Sequence, residues 1–323
     1  MRRLGSIALA LVGVLALAAP AFADNGGLTP PQPESPNANA INDTYYLLLL
    51  VTGAVFVVVE GALLVFVAKY RRRQRPVDAE GPQIHGNTRL EVLWTIIPLA
   101  LVTLIVGFVF YKLPDVSDVT EPAIAAPGEP NLRIDVAGRQ FYWEFRYPDG
   151  RVTYDTLVVP VNRTVELNVT APEHDVIHSW WIPALGGKID AIPGRVNHTW
   201  FRAEQEGEYE GNCTEFCGLQ HGAMTMKVRA VDQAQWEREL TSLAGNGQEQ
   251  FNAACAKCHN VEGPQLIGPT LQGNPTLANA QSLAQLVRNG RNEMPAVGRG
   301  WSDAQIRTLM RYTRRVAGGG SGG

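Results

Sequence analysis

The stretch GNCTEFCGLQHGAM, residues 211–224, places Cys213, Cys217, His221 and Met224 in the array C-x3-C-x3-H-x2-M. Thiolates and thioethers are soft ligands that select copper or zinc over magnesium or calcium. The thioether makes copper the better choice, because zinc is held by cysteine, histidine and carboxylates. A second imidazole, His178, stands upstream in the apolar run DVIHSWWIP, residues 175–183. Two thiolates at this spacing can both bridge a pair of copper ions, with His178 and His221 serving one ion each. The Met224 sulfur and a backbone carbonyl, for which Glu215 is well placed, would complete weak axial positions. A mononuclear blue-copper site uses one cysteine, so the second thiol favours the binuclear reading. A shared site spreads one unpaired electron over both metals and changes shape little on reduction. His174 reads as a solvent-exposed histidine, and His85 and His198 have no partner pattern.

The cluster sits among short alternating runs separated by Gly, Pro, Asn or Asp. They are LRIDVAGRQFYWEFRYP (132–148), VTYDTLVVP (152–160), TVELNVTA (164–171), NHTWFRA (197–203), GEYEGNC (207–213) and MTMKVRAV (224–231). Such spacing predicts an all-β Greek-key sandwich or barrel over 131–232. The metal cluster falls in a loop between two strands, which suits ligands that must not move.

Upstream, the chain is apolar. Residues 1–23 read as a secretory signal, with Arg2 and Arg3, an apolar centre at 7–18 and the cleavage pattern Ala21-Phe22-Ala23. Cleavage would leave Asp24 first, and residues 24–44, rich in Pro, Asn and Gly, read as a disordered exported segment. Residues 45–68 and 92–111 are each long and apolar enough to cross a bilayer, so 45–112 reads as a two-helix transmembrane hairpin. Lys69, Arg71, Arg72, Arg73 and Arg75 follow the first run, whereas Asp115, Asp118 and Glu121 follow the second. The positive-inside rule then puts 69–91 in the cytoplasm and both mature termini outside. Glu60 lies inside the first run, either hydrogen-bonded to a partner helix or functional. Glu91, in RLEVLWTIIP, is an interfacial anchor or the mouth of a proton path. Residues 113–130, rich in Pro, Ala and acidic groups, read as a linker.

Downstream, 233–246 reads as a short linker helix. The last unit, 247–318, opens with FNAACAKCHN, where Cys255, Cys258 and His259 form a C-x-x-C-H motif for covalent haem c. His259 would be one axial ligand and Met294, in RNEMPAVG, the other, a pair that raises the haem potential. Gly268-Pro269 marks a loop passing the histidine. Apolar groups at Ile306, Met310 and 312–316 would let a final helix, 302–316, close the haem pocket. The alternatives for C-x-x-C-H are a thioredoxin-like redox pair or half of a zinc site, but no second cysteine pair and no βαβ pattern accompany it. The four cysteines fall in two close pairs, which two disulfides would also satisfy. Residues 319–323 read as a flexible tail. The net charge of −3 over 323 residues gives no support for nucleic-acid binding.

With hairpin, copper motif and haem motif in this order, the sequence resembles subunit II of the haem-copper cytochrome c oxidases. The residues that carry the resemblance are HSWWIP at 178–183, DAIPGR at 190–195 and CTEFCGLQHGAM at 213–224. The C-x-x-C-H unit makes it similar to the caa-type oxidases, in which this subunit carries a fused, all-α cytochrome c domain. The resemblance implies a bacterial inner-membrane protein of three parts: hairpin, cupredoxin-like domain and cytochrome c domain. It implies a binuclear CuA centre on His178, Cys213, Glu215, Cys217, His221 and Met224, and a magnesium ion on the Glu215 side chain at the boundary with subunit I. It implies that Glu91 opens a proton pathway, that subunit I reduces oxygen, and that subunit III completes a proton-pumping assembly. A donor complex or small cytochrome would feed the haem. One position departs from the family: Phe141, in GRQFYWEF, stands where oxidases served by a separate cytochrome c usually carry tryptophan. The electron path is then expected through Phe141, Tyr142 and Trp143. Two other functions fit parts of the chain: a nitrous oxide reductase-like CuA protein, and a membrane-anchored copper carrier or oxidase assembly factor. The missing large catalytic domain tells against the first and the haem motif against the second.

Overall fold

A computed structural model describes residues 29–70, 81, 83–119 and 130–317. The signal segment, Arg71 to Arg75, most of the 113–130 linker and the tail lie outside the described residues.

Two helices form the hairpin unit. Helix α1 spans Pro36–Tyr70 and α2 spans Thr88–Ser117. Both are long and apolar enough to cross a membrane. Each extends past the runs expected from hydropathy. α1 begins at Pro36, so 36–44 is helical rather than disordered: proline's fixed φ suits the first turn of a helix. α2 continues through Pro114 to Ser117, into the expected linker, and Asp118 N–H closes it on the Pro114 carbonyl at 2.9 Å. At its start Asn87 accepts from Leu90 N–H at 3.2 Å, and Glu91 reaches back to accept from Asn87 N–H at 3.2 Å. This is a reciprocal cap that satisfies otherwise orphaned donors. Lys112 pairs with Asp43 at 2.8 Å, joining the end of α2 to the beginning of α1. Glu60 lies exposed on α1.

The β domain holds ten strands: β1 Leu132–Arg139, β2 Tyr142–Arg146, β3 Val152–Tyr154, β4 Thr156–Pro160, β5 Val165–Thr170, β6 His178–Trp180, β7 Ile189–Ala191, β8 Asn197–Phe201, β9 Gly207–Asn212 and β10 Thr225–Val231. A five-stranded sheet runs β3-β2-β1-β5-β8, a three-stranded sheet runs β4-β10-β9, and β6 pairs with β7. Pairs β1–β5 and β4–β10 are parallel and the others antiparallel. Alternation selects the buried faces: Leu132, Ile134 and Val136 of β1 point inward, as do Val165, Leu167 and Val169 of β5. The run 152–160 was expected as one strand. It is two, in different sheets, because Asp155 between them takes a left-handed backbone (φ 52°). Its amide donates to the Trp143 carbonyl at 2.9 Å, and its carboxylate accepts from Trp143 N–H at 2.8 Å. An aspartate tolerates that conformation better than a branched residue.

The strip leading into the first turn of α1 belongs to this domain. Glu34 N–H donates to the Ala184 carbonyl at 2.8 Å and its own carbonyl accepts from Glu204 at 3.0 Å. The Asn37 amide donates to the Trp200 carbonyl at 2.6 Å, and Arg202 N–H donates to Ser35 Oγ at 3.1 Å. Ser35 and Asn37 are buried. Polar groups buried here must be hydrogen-bonded, which is why Ser and Asn, rather than marking disorder, fill these positions.

Helix α3, Gln233–Leu243, is capped by Asp232 and covers β4, with the Trp236 indole donating to the Val158 carbonyl at 3.1 Å. The C-terminal domain is helical: α4 Gly247–Ala254, α5 Pro275–Ala278, α6 Ala280–Asn289 and α7 Asp303–Ala317. On α7 Ile306, Leu309, Met310 and Thr313 are buried at helical spacing. Helix α4 crosses α7 closely. A Cβ on Gly247 would lie 2.7 Å from the Thr308 carbonyl oxygen and 2.9 Å from Tyr312 Cβ, so glycine permits the approach.

Candidate copper and haem sites

Three segments converge at the copper candidate. β6 delivers His178, the loop after β9 delivers Cys213 and Cys217, and the short turn His221–Ala223 delivers His221 just ahead of β10. His178, Cys213 and Cys217 are buried, and their ligand atoms lie within 4.8 Å of one another. Cys213 Sγ is 4.0 Å from Cys217 Sγ and 3.9 Å from His178 Nδ1. Cys217 Sγ is 3.5 Å from His221 Nδ1 and 3.7 Å from Met224 Sδ. The Glu215 carbonyl oxygen lies 3.3 Å from Cys213 Sγ, and the Glu215 side chain is exposed. All six positions singled out in the sequence therefore meet at one place. The sulfurs are about twice as far apart as the roughly 2.05 Å of a disulfide, and all four cysteines of the chain are free.

Several residues around the cluster carried no signal in the sequence. Asp175 Oδ1 lies 3.1 Å from His178 Nε2. With that nitrogen as donor, the Nδ1 lone pair is left facing Cys213, a standard way of fixing a ligand imidazole. Burial works against protonated His178, but the bonds to Asp175 and Cys213 outweigh it and raise its pKa. Gly138 makes room for the ring: a Cβ there would lie 2.9 Å from His178 Cβ. The two thiols favour a single thiolate. The bond between the two sulfurs pulls Cys213 well below an ordinary thiol and pushes Cys217 above it. The donor set, two sulfurs and two imidazoles with a thioether and a carbonyl alongside, fits a pair of soft metal ions.

The C-x-x-C-H segment follows α4. Cys255 N–H and His259 N–H close successive turns on Phe251 and Cys255, and Gly268 N–H donates to the Cys258 carbonyl at 2.8 Å. His259 Nδ1 is 2.8 Å from the Pro269 carbonyl, which makes Nδ1 the donor and frees Nε2. A Cβ on Gly268 would collide with the His259 ring. Burial pushes Cys255 up to about 12 and raises Cys258. These are not the depressed thiols of a thioredoxin-like redox pair. Met294 is half-buried against the domain core, in the loop between α6 and α7. Two thiols, an imidazole with Nε2 free and a thioether against the same domain core fit covalent haem c.

The three aromatics of the expected electron path part company. Phe141 lies beside the copper loop, where a Cβ on Gly218 would be 3.2 Å from its ring. Tyr142 is buried among residues of the C-terminal domain. Trp143 is buried in the β-domain core, with its ring centroid 6.2 Å from that of His178.

A cupredoxin-like domain with a two-thiol, two-imidazole centre, membrane-capable helices before it and a haem-attachment domain behind it define a membrane-anchored electron carrier. Residues 23–113 match the transmembrane domain of cytochrome c oxidase subunit II, residues 152–231 its periplasmic domain, and residues 242–312 the cbb3-type cytochrome c oxidase subunit III family. The chain is 35% identical to cytochrome c oxidase subunit 2 of Alkalihalophilus pseudofirmus over 73% of its own length and 71% of that protein. It is 32% identical to a probable cytochrome c oxidase subunit 2 of Rickettsia bellii, over 69% of this chain and 87% of that one. The solved periplasmic domain of subunit II from Bradyrhizobium japonicum is 34% identical and aligns with 36% of this chain and 96% of that one, at a TM-score of 0.34. The chain belongs to the cytochrome c oxidase subunit II family, and carries a C-terminal cytochrome c domain.

Proposed function

We propose that this chain takes electrons at a haem c on its C-terminal domain and delivers them through a binuclear copper centre to the oxygen-reducing subunit. His178, Cys213, Cys217, His221, Met224 and the Glu215 carbonyl would hold the copper pair, and Cys255, Cys258, His259 and Met294 the haem. When bound, each group supplies a one-electron store. The chain's own part is to hold ligands still. Asp175 orients His178, the Pro269 carbonyl orients His259, and burial of Cys213 and Cys217 keeps water from the sulfurs. Such rigidity limits the rearrangement that accompanies each electron.

Family likeness supports further parts of the reading. The exposed Glu215 carboxylate is free to serve a magnesium ion shared with subunit I. Glu91, besides capping α2, would open the proton pathway that the family resemblance implies. Subunit III and an external donor complete the assembly, and the basic segment after α1 favours both mature termini on the outer side of a bacterial plasma membrane.

The observation that carries the reading is the meeting of Cys213, Cys217, His178, His221 and Met224 within bonding reach of shared metal ions. In the purified chain, copper should stand at two ions per haem. Cys213→Ser should abolish the near-infrared copper band and leave the haem c spectrum intact. Survival of the band in that variant, or one labile copper per chain, would sink the assignment.

A further inference from the structure

One tight turn touches both candidate cofactor segments. Between β1 and β2, Gln140 Nε2 donates to the Cys217 carbonyl at 2.6 Å, on the copper loop. The next residue, Phe141, lays its ring beside Gly218 and offers its carbonyl to Lys257 Nζ at 2.7 Å. Lys257 lies between Cys255 and Cys258 in the haem motif. Its ammonium also meets Asp155 Oδ2 at 2.7 Å, with side chains only 15% and 22% exposed. Asp155 is itself held by both backbone bonds to Trp143.

Around this contact the two domains share a packed seam. Tyr142, fully buried, donates to the Val297 carbonyl at 2.6 Å. Its ring and that of Tyr154 pack edge-on against Trp301, with centroids 6.2 and 6.0 Å away. The Trp301 indole donates to buried Glu144 at 3.2 Å. Tyr142, Val152 and Tyr154 thus belong to the apolar core of the C-terminal domain although strands of the β domain carry them. A largely buried ion pair is weak evidence for stability, but separating its partners leaves a buried charge unpaired, which penalises any shift of one domain against the other.

We infer that residues 139–142 are the wall shared by the copper loop and the haem-attachment segment, and that Lys257 with Asp155 is the latch that fixes the two domains as a permanent relay. The inference rests on the copper and haem reading above. Lys257, Asp155 and Gln140 act as positioning residues for the crossing of one electron. No atom moves: ferrous iron becomes ferric as the copper pair gains the electron. The docked domain also covers Tyr142, so an external electron-donating protein must reduce the haem and has no access to the copper domain on this face.

The test uses the full chain in the assembled oxidase. After rapid reduction of haem c, its absorbance and the near-infrared copper band are followed together. Lys257→Met and Asp155→Asn should each slow haem-to-copper transfer by about tenfold or more, as the docked population falls once a buried charge loses its partner. The static bands should remain in place. Lys257→Arg, which keeps the charge and the donors, should restore most of the rate. In the unaltered chain, transfer should stay flat between about 10 mM and about 1 M salt, where the screening length falls from ~30 to ~3 Å. A tethered domain docking through exposed charge would slow steeply, and that result overturns the latch whether or not the variants assemble. Unchanged rates in both neutralised variants would overturn it too, as would a Lys257→Arg chain as slow as Lys257→Met. Absence of either band from the unaltered chain would instead defeat the cofactor reading itself.

Discussion

Asp175→Ala isolates the carboxylate behind the candidate copper ligands. His178 is fully buried, and Asp175 Oδ1, at 3.1 Å, is the partner of its Nε2. Truncation leaves a buried N–H without an acceptor, a loss of about 1–3 kcal/mol. It also frees the ring to turn and present the wrong nitrogen. At about 1.4 kcal/mol per factor of ten, this corresponds to a copper affinity weaker by roughly 10- to 100-fold. Asp175→Asn keeps an acceptor in place and should lose less. Copper would be titrated against a competing chelator and read at the near-infrared band, with circular dichroism of the β domain as a control for folding. The Asp175 carboxylate also accepts from the Gln140 and Val176 amides, so some loosening of that turn is expected. An affinity unchanged in Asp175→Ala, with the fold intact, would refute the idea that this bond sets the imidazole.

Two other outcomes follow from the geometry. Gly268→Ala should drive the His259 ring off the Pro269 carbonyl, because the added Cβ falls on the imidazole. Overpacking of this kind costs about 1–3 kcal/mol, and should appear as a high-spin fraction in the haem spectrum. An unchanged low-spin spectrum would contradict it. Glu166, which accepts from Asn131 and Arg133, has its pKa held below the ordinary 4.5 chiefly by the Asn131 bond. Its stabilisation is present above that value and fades as pH falls through the depressed one. Glu166→Gln should therefore lower Tm at neutral pH slightly, by the equivalent of about 0.5–1 kcal/mol, and flatten the Tm profile on the acid side; parallel profiles would count against it.

The copper and haem candidates were legible because their chemistry lies in residue types at short spacing. Cys213, Cys217, His221 and Met224 span one loop, and Cys255, Cys258 and His259 one turn. His178 was found from its apolar setting. The residues that support them were not legible, because their partners are distant in sequence or lie on the backbone. Asp175 is an unremarkable loop aspartate until β6 turns its histidine back towards it. Lys257 is a filler inside C-x-x-C-H until it meets a carboxylate 102 positions away. Strand periodicity placed β5 but ran β1 into β2 and β3 into β4, since a tight turn at 140–141 and one left-handed aspartate leave no trace in an alternating pattern. Composition misread 35–44, where Pro36 starts a helix and Ser35 and Asn37 serve as buried hydrogen-bonding groups. Tyr142 was expected on an electron path, and its burial in the C-terminal domain is a tertiary fact no window of sequence contains.

The strip that leads into the first turn of α1 has a consequence for assembly order. Asn37 and Ser35 are synthesised long before their partners Trp200 and Arg202, which follow 163 and 167 residues later. Both apolar helices lie in that interval. The first-made piece of the β domain must therefore wait, its amides solvated, until the hairpin has been synthesised and β8 has emerged. A lesion in this short strip would surface late, as a copper domain that fails to close although every copper ligand is intact.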